Sequence, residues 1–441
     1  MIDLQSRLDS LVAEFDVPGA SVAVIDGGDI VLASAGVASI ETGQVVTNDT
    51  IFAIGSITKV FTASLIMQLV EAGTIDLDRP VRHYLPDLEL ATDGQTSGVT
   101  VRHLLTHTSG IAGDHIVETG PGSEGLKQYV ESLRDIPVLH DPGNGFSYSN
   151  AAVILAGYLL EQHYGAPWPD LVRERIIEPL GLQSMVAFPQ WAGDRPVVSP
   201  HRRGEDGRPI GGDMWLEFAA GASAGFTPYA SAADVVRFAQ WHLRNGQGQN
   251  GQQLLSAASV AAMQAPQVAS LPSGALDNTG WGIGWALHQF GPERGLGHNG
   301  GTSAMIRVLP DRDFAVAVLT NISGGVRMGG ALTGELILDR FGIAPDPLPS
   351  FGNDASKQTR DRCAGVYRHL EYSVTIEASE EGLTLITGSA GERVELHPIG
   401  DGAYVGQFAD RGWSRVGFVG ENDQGQPDYF HTGLRAYRRV S

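Results

Sequence analysis

Few stretches constrain a fold as much as a helix that cannot face water, and this chain carries one. Apolar side chains recur at Ile57, Phe61, Leu65 and Leu69, and again at Val60, Ile66, Met67 and Val70. At helical spacing they cover most of the circumference, so the helix must be packed among neighbours on nearly every side. Its first turn holds Gly55-Ser56-Ile57-Thr58-Lys59. There the unpaired backbone N–H groups and the positive end of the helix dipole favour developing negative charge. Lys59 follows Ser56 by three residues, which puts amine and hydroxyl on one face. Desolvation drives a lysine toward its neutral, basic form, so a serine held beside a buried lysine is a route to a nucleophile.

The rest of the composition sharpens that reading. The only lysines are Lys59, Lys127 and Lys357, and neither of the others has a serine three residues before it. Arginine, the cation used elsewhere, cannot give up its proton at working pH. A formal charge of −20 argues against nucleic acid and anionic membrane surfaces as partners. Cys363 is the single cysteine, so no intramolecular disulfide forms, and it reads as a buried structural residue. The acidic, amphipathic start Met1–Leu8 is not a signal peptide, and no apolar run is long enough to span a bilayer. The expected location is cytoplasmic.

Taken in order, residues 3–15 read as a helix stopped by Val17-Pro18-Gly19, and 20–25 with 30–34 as a β-hairpin around Asp26-Gly27-Gly28-Asp29. From about 75 to 225 short helices and loops dominate, with helices expected near 151–162 and 170–177, the latter ending before Pro179. A helix follows over 230–245, then strands at 282–287, 304–309 and 314–320, then a helix over 329–341. The fold class is α+β: an antiparallel sheet flanked by helices, with a mostly helical insertion, spanning residues 1–343. Residues 344–354, opening Ala344-Pro345-Asp346-Pro347-Leu348-Pro349, read as a stiff linker. Period-two patterning from 355 to 441 predicts a small all-β barrel or sandwich, in which no catalytic constellation is visible.

Three further segments bear on chemistry. Tyr148-Ser149-Asn150 offers a phenol able to relay protons beside a lysine and an amide able to hold a carbonyl. His298-Asn299-Gly300-Gly301, read as lying just before a strand, lets backbone approach a substrate edge-on, with the Gly301 N–H available to an oxyanion. The third is the loop 104–110. His103 and His107 have the i, i+4 spacing of zinc ligands but lack a glutamate or third ligand nearby, so packing is the preferred role. The loop 224–229 reads equally as a pocket wall or a helix lead-in.

These segments together resemble the serine hydrolases related to class C β-lactamases, D-alanyl-D-alanine carboxypeptidases, D-aminopeptidases and similar esterases. Ser56-x-x-Lys59, Tyr148-x-Asn150 and His298-x-Gly300 stand in that family's order, with His103–Gly110 similar to its common loop, and the likeness covers about residues 5–340. The resemblance implies an acyl-enzyme on Ser56, with Lys59 and Tyr148 handling its proton and the N–H groups of Ser56 and Gly301 forming the oxyanion hole. It implies that Asn150, His298, Asn299, Gly300 and His115 meet the substrate, a small molecule or short peptide. No cofactor or metal is implied. His298 stands where the β-lactamases usually present lysine, which points toward the peptidase and D-amino-acid amidase branch. A carboxylesterase and a non-hydrolysing, penicillin-binding-like ligand binder are the alternatives. The β-domain is open to three roles: homo-oligomer contact, lid or substrate selector.

Overall fold

The computed structural model describes residues 2–91, 98–212, 218–352, 356–387, 391–400 and 402–440. The first helix, α1 (Leu4–Glu14), starts where the Asp3 side chain accepts the Ser6 N–H, and it buries Leu4, Leu8 and Leu11 on one stripe. The hairpin β1 (Gly19–Asp26) and β2 (Asp29–Gly36) turns through Gly27 and Gly28, both at positive φ (61° and 99°). Two consecutive left-handed residues make the tight turn whose twist matches the strands, a conformation glycine adopts without steric cost.

Five later strands complete the sheet: β3 (Asn278–Trp281), β4 (Ala286–Phe290), β5 (Glu293–Gly300), β6 (Ala304–Leu309) and β7 (Phe314–Thr320). The order is β2-β1-β7-β6-β5-β4-β3, antiparallel throughout, so both ends of the hydrolase-like region build one sheet. Strand alternation divides the core. Val22, Val24, Val316 and Val318 face α1 and α5 (Val326–Phe341). Ala23, Ile25, Ala317 and Leu319 face the larger core. That core contains α2 (Thr58–Glu71), α3 (Asn150–Tyr164) and α4 (Ala232–Leu243). Phe61 of α2 stacks on Phe238 of α4, ring centroids 3.6 Å apart.

Several expectations need correction. The stretch 282–287 is not one strand: Gly284, at φ 78°, turns the chain between β3 and β4. A Cβ there would come within 2.7 Å of Ala63 on α2, so glycine also permits that close approach. The helix near 170–177 does not end before Pro179. A π-helical turn at Arg173–Ile177 leads into Glu178–Leu180, and a widened turn tolerates the missing proline N–H. His298–Gly301 does precede a strand, β6, but His298 also lies within β5, which was not expected and runs to Gly300.

The C-terminal region is a closed eight-stranded antiparallel barrel between Gly365 and Arg439, led by a short helix, Lys357–Cys363, absent from the period-two reading. Residues 353–354 of the expected linker and residue 355 lie outside the described residues. Gly274–Ala275, from the hydrolase-like region, pairs with Arg415 and Ser414 as a ninth strand on the barrel sheet. Among the described residues no helix is long and apolar enough to cross a membrane.

Candidate active site

Ser56 lies in a single 3₁₀ turn, Gly55–Ile57, that feeds directly into α2. Its neighbours are backbone. A Cβ on Gly55 would fall 2.7 Å from the Gly300 Cα, one on Gly300 would fall 2.1 Å from the Ile54 carbonyl, and Gly225 likewise abuts Gly55. Such contacts exclude any side chain, so the end of β5 is held against the turn that carries Ser56. Gly301, at φ 57°, lines the same cleft as Ser56.

Lys59 Nζ donates to Ser56 Oγ at 2.9 Å and to the Ala224 carbonyl at 2.6 Å. The 224–229 loop is therefore tied to the site through that carbonyl. Lys59 is 1% exposed. Burial, and then the charge of Arg435, hold its amine well below the ordinary lysine value. An amine in this setting can accept the serine proton.

Tyr148 completes the group. Its ring centroid is 5.0 Å from Lys59 Nζ, and it is packed between His107 (4.2 Å) and Trp281 (5.7 Å). Burial pushes the phenol above its ordinary value, with the Ser56 hydroxyl pulling the other way, so it stays protonated. His107 is not a metal ligand in this arrangement: its Nδ1 accepts the Ser149 N–H at 3.1 Å, which fixes the backbone beside Tyr148. His103 caps its own helix, Nδ1 accepting from the Thr100 N–H. Among the described residues no group of three or more His, Cys, Asp or Glu is arranged to hold a metal ion.

The remaining expected residues separate. His298 lines the cleft, and its Nδ1 bonds the Asn299 carbonyl at 2.9 Å, which leaves Nε2 as a lone-pair acceptor. Burial, then the Lys59 charge, lower its pKa to about 3, so it is neutral at physiological pH and is not the pH-dependent anchor that a histidine there suggests. Asn150 donates to Asp114 Oδ1 at 3.2 Å. Strand alternation turns Asn299 to the opposite sheet face from His298, where its Oδ1 accepts from Arg307. His115 points elsewhere: its Nε2 lies 2.8 Å from Ser132 Oγ and its ring packs on Tyr129.

One residue was not visible in the sequence. Arg435, from the last barrel strand, reaches across the domain boundary and pairs with Asp114 through both Nε and Nη2. Its guanidinium carbon is 5.2 Å from the Tyr148 ring centroid. Burial opposes its charge, but Asp114 outweighs burial and the guanidinium is held above its ordinary value. The Asp114 carboxyl, raised by burial, is brought below its usual range by Arg435. Backbone bonds seat the loop: Tyr148 N–H to Leu434 O at 2.8 Å and Ala436 N–H to Ser147 Oγ at 3.2 Å. The β-domain, in which the sequence shows no catalytic constellation, thus brings one side chain against Tyr148. Nothing local marks Arg435, which is one of several arginines in an alternating strand.

Residues 4–337 match the family model described as Beta-lactamase. Penicillin-binding protein 4 of Amycolatopsis lactamdurans is 38% identical over 360 residues, covering 78% of this chain and 93% of that protein. Esterase EstB of Burkholderia gladioli is 31% identical over 53% of this chain and 68% of its own. The crystal structure of SurE superposes with a TM-score of 0.80 at 28% identity, over 99% of this chain and 98% of its own, and SurE has also been solved with D-Leu.

Proposed function

Since the chain belongs to the Beta-lactamase family of serine hydrolases, we propose that it cleaves an amide or peptide bond, on a D-configured residue, through an acyl-enzyme on Ser56. The observation that carries this is the 2.9 Å contact between Ser56 Oγ and a fully buried, easily deprotonated Lys59. As the Ser56 oxygen bonds to the substrate carbonyl carbon, its proton passes to Lys59. The carbonyl oxygen becomes an oxyanion facing the N–H groups of Ser56 and Gly301, each worth about 3 kcal/mol in such sites. Collapse expels the amine, which takes a proton relayed through Tyr148, whose protonated phenol lies beside the same serine. Water, deprotonated by the same groups, then attacks the ester carbonyl and releases Ser56. His298, which lines the cleft, and Asn150, held by Asp114, orient the substrate.

D-configuration is supported by D-Leu in the SurE crystals, and small ligands suit a cleft of about 970 Å³. The likeness to EstB supports a second reading, a carboxylesterase using the same residues. A matched ester and amide of one D-aminoacyl group, assayed alongside the L-forms, separates the two. Mass spectrometry of the trapped protein should show the acyl group on Ser56. Turnover limited to one equivalent, or an adduct elsewhere, would overturn the hydrolase reading.

A further inference from the structure

The cleft does not stop at Ser56. It continues round the end of β5 to the α5 side of the sheet, where Asp277, His288, Asn299 and Arg307 line it. Arg307, on β6, is 3% exposed. Its two hydrogen bonds, to Asn299 Oδ1 and the Ile306 carbonyl at 2.9 Å each, both use Nη1. Asp277 lies 3.8 Å from Nε, too far for a hydrogen bond, and its own bond goes to His288 Nδ1 at 3.0 Å. A buried guanidinium on a cavity wall, hydrogen-bonded through Nη1 and ion-paired with Asp277 at 3.8 Å, keeps a planar donor edge that suits a planar anion. The wall adds charge to geometry. Five arginines line the cleft against three aspartates, in a chain whose net charge is −20. The nearby Asp277 disfavours a doubly charged phosphate, so a carboxylate fits best.

We propose that this arm of the cleft binds a substrate carboxylate, with Arg307 as the anchoring cation, and so selects acidic or free-acid peptides extending beyond the cleaved bond. Arg307 is paired with Gly297, three residues along β5 from the Gly300 that abuts the Ser56 turn. At about 3.3 Å per residue this run along the strand alone is roughly 10 Å, and Arg307 lies on the sheet face opposite His298, so the carboxylate is at least about three extended residues from the reacting carbonyl. The inference rests on the acyl-enzyme reading for the position of the cleaved bond, but its test does not require turnover. Calorimetry on Ser56→Ala protein would compare N-acetyl-D-alanyl-triglycine with its C-terminal amide. The acid should bind about tenfold more tightly, the scale of one charge-assisted hydrogen bond. Arg307→Gln should bring the acid down to the amide, and Arg307→Lys should keep part of the preference. Gly330→Phe narrows the cavity from α5, where a Cβ meets nothing closer than Met305 at 4.0 Å, and should also abolish the preference should Arg307→Gln not fold. Equal binding of acid and amide, no binding of either, or a preference that survives these variants overturns the proposal. Absence of turnover in the parent protein would instead count against the acyl-enzyme reading, leaving the binding comparison intact.

Discussion

Tyr148 stands between two buried basic side chains that the fold treats in opposite ways. On the hydrolase side Lys59 is 5.0 Å from the ring centroid and hydrogen-bonded to a hydroxyl and a carbonyl, with no carboxylate against it among the described residues. On the barrel side Arg435 is 5.2 Å from the same centroid and clasps Asp114. Burial penalises charge in both. Only the arginine has an anion in contact, and only the arginine keeps its proton firmly. The lysine is left able to act as a base, and the arginine's fixed charge keeps it so by adding repulsion to its protonated form. Burial pulls both values down, and contact with Asp114 is what lifts the arginine back above its ordinary one.

The comparison can be broken most severely at the hydrolase side. Ser56→Ala and Lys59→Ala should each lower kcat by at least about 10⁴-fold, and the double variant should lose little more, because nucleophile and base act as a unit. Steady-state hydrolysis of a D-aminoacyl anilide would measure this, and additive losses would refute it. On the barrel side, Arg435→Met leaves Asp114 enclosed without its cation. Stability should fall by on the order of 3 kcal/mol, and Asp114→Asn in the same chain should restore most of it. Urea unfolding reads both.

A subtler effect separates the two cations by pH. Lys59 has a lowered value when folded and the ordinary value, about 10.4, when unfolded. Between those limits the unfolded chain binds more protons, so stability rises with pH across that window and falls as pH drops toward the folded value. Lys59→Met should flatten this slope of Tm against pH, whereas Arg435 variants should keep the slope but move its lower edge to higher pH, since the lysine, without its repelling neighbour, then holds its proton more firmly. The smallest effect belongs to His298. Because it stays neutral down to about pH 3, His298→Asn should leave the acid limb of the rate profile where it was and lower kcat/KM by no more than about tenfold.

How much of this was readable beforehand follows from the range of each interaction. Ser56 and Lys59 are one helical turn apart on a helix whose apolar circumference already demands burial, so local periodicity carries both position and environment. The order of the Tyr148 and His298 segments added the rest of the cluster. Facing was harder. With no strand expected over 293–300, the alternation that sends Asn299 to the far side of the sheet was lost, and so was its link to Arg307. Arg435 was out of reach altogether: its meaning depends on how a second domain is docked, which no spacing within either segment encodes. The missed turn at Gly284 is of the same kind, since the space that a side chain there would need is taken by Ala63 of α2.

The two-residue strand at Gly274–Ala275 carries a wider consequence. One unit lends the other a piece of its own backbone, while the last barrel strand lends back the residue that braces Tyr148. Neither half is then a free-standing module that could be swapped, trimmed or evolved alone. Heated in a calorimeter, the chain should give a single endotherm rather than two, and a protease cut in the barrel should silence the distant serine at once.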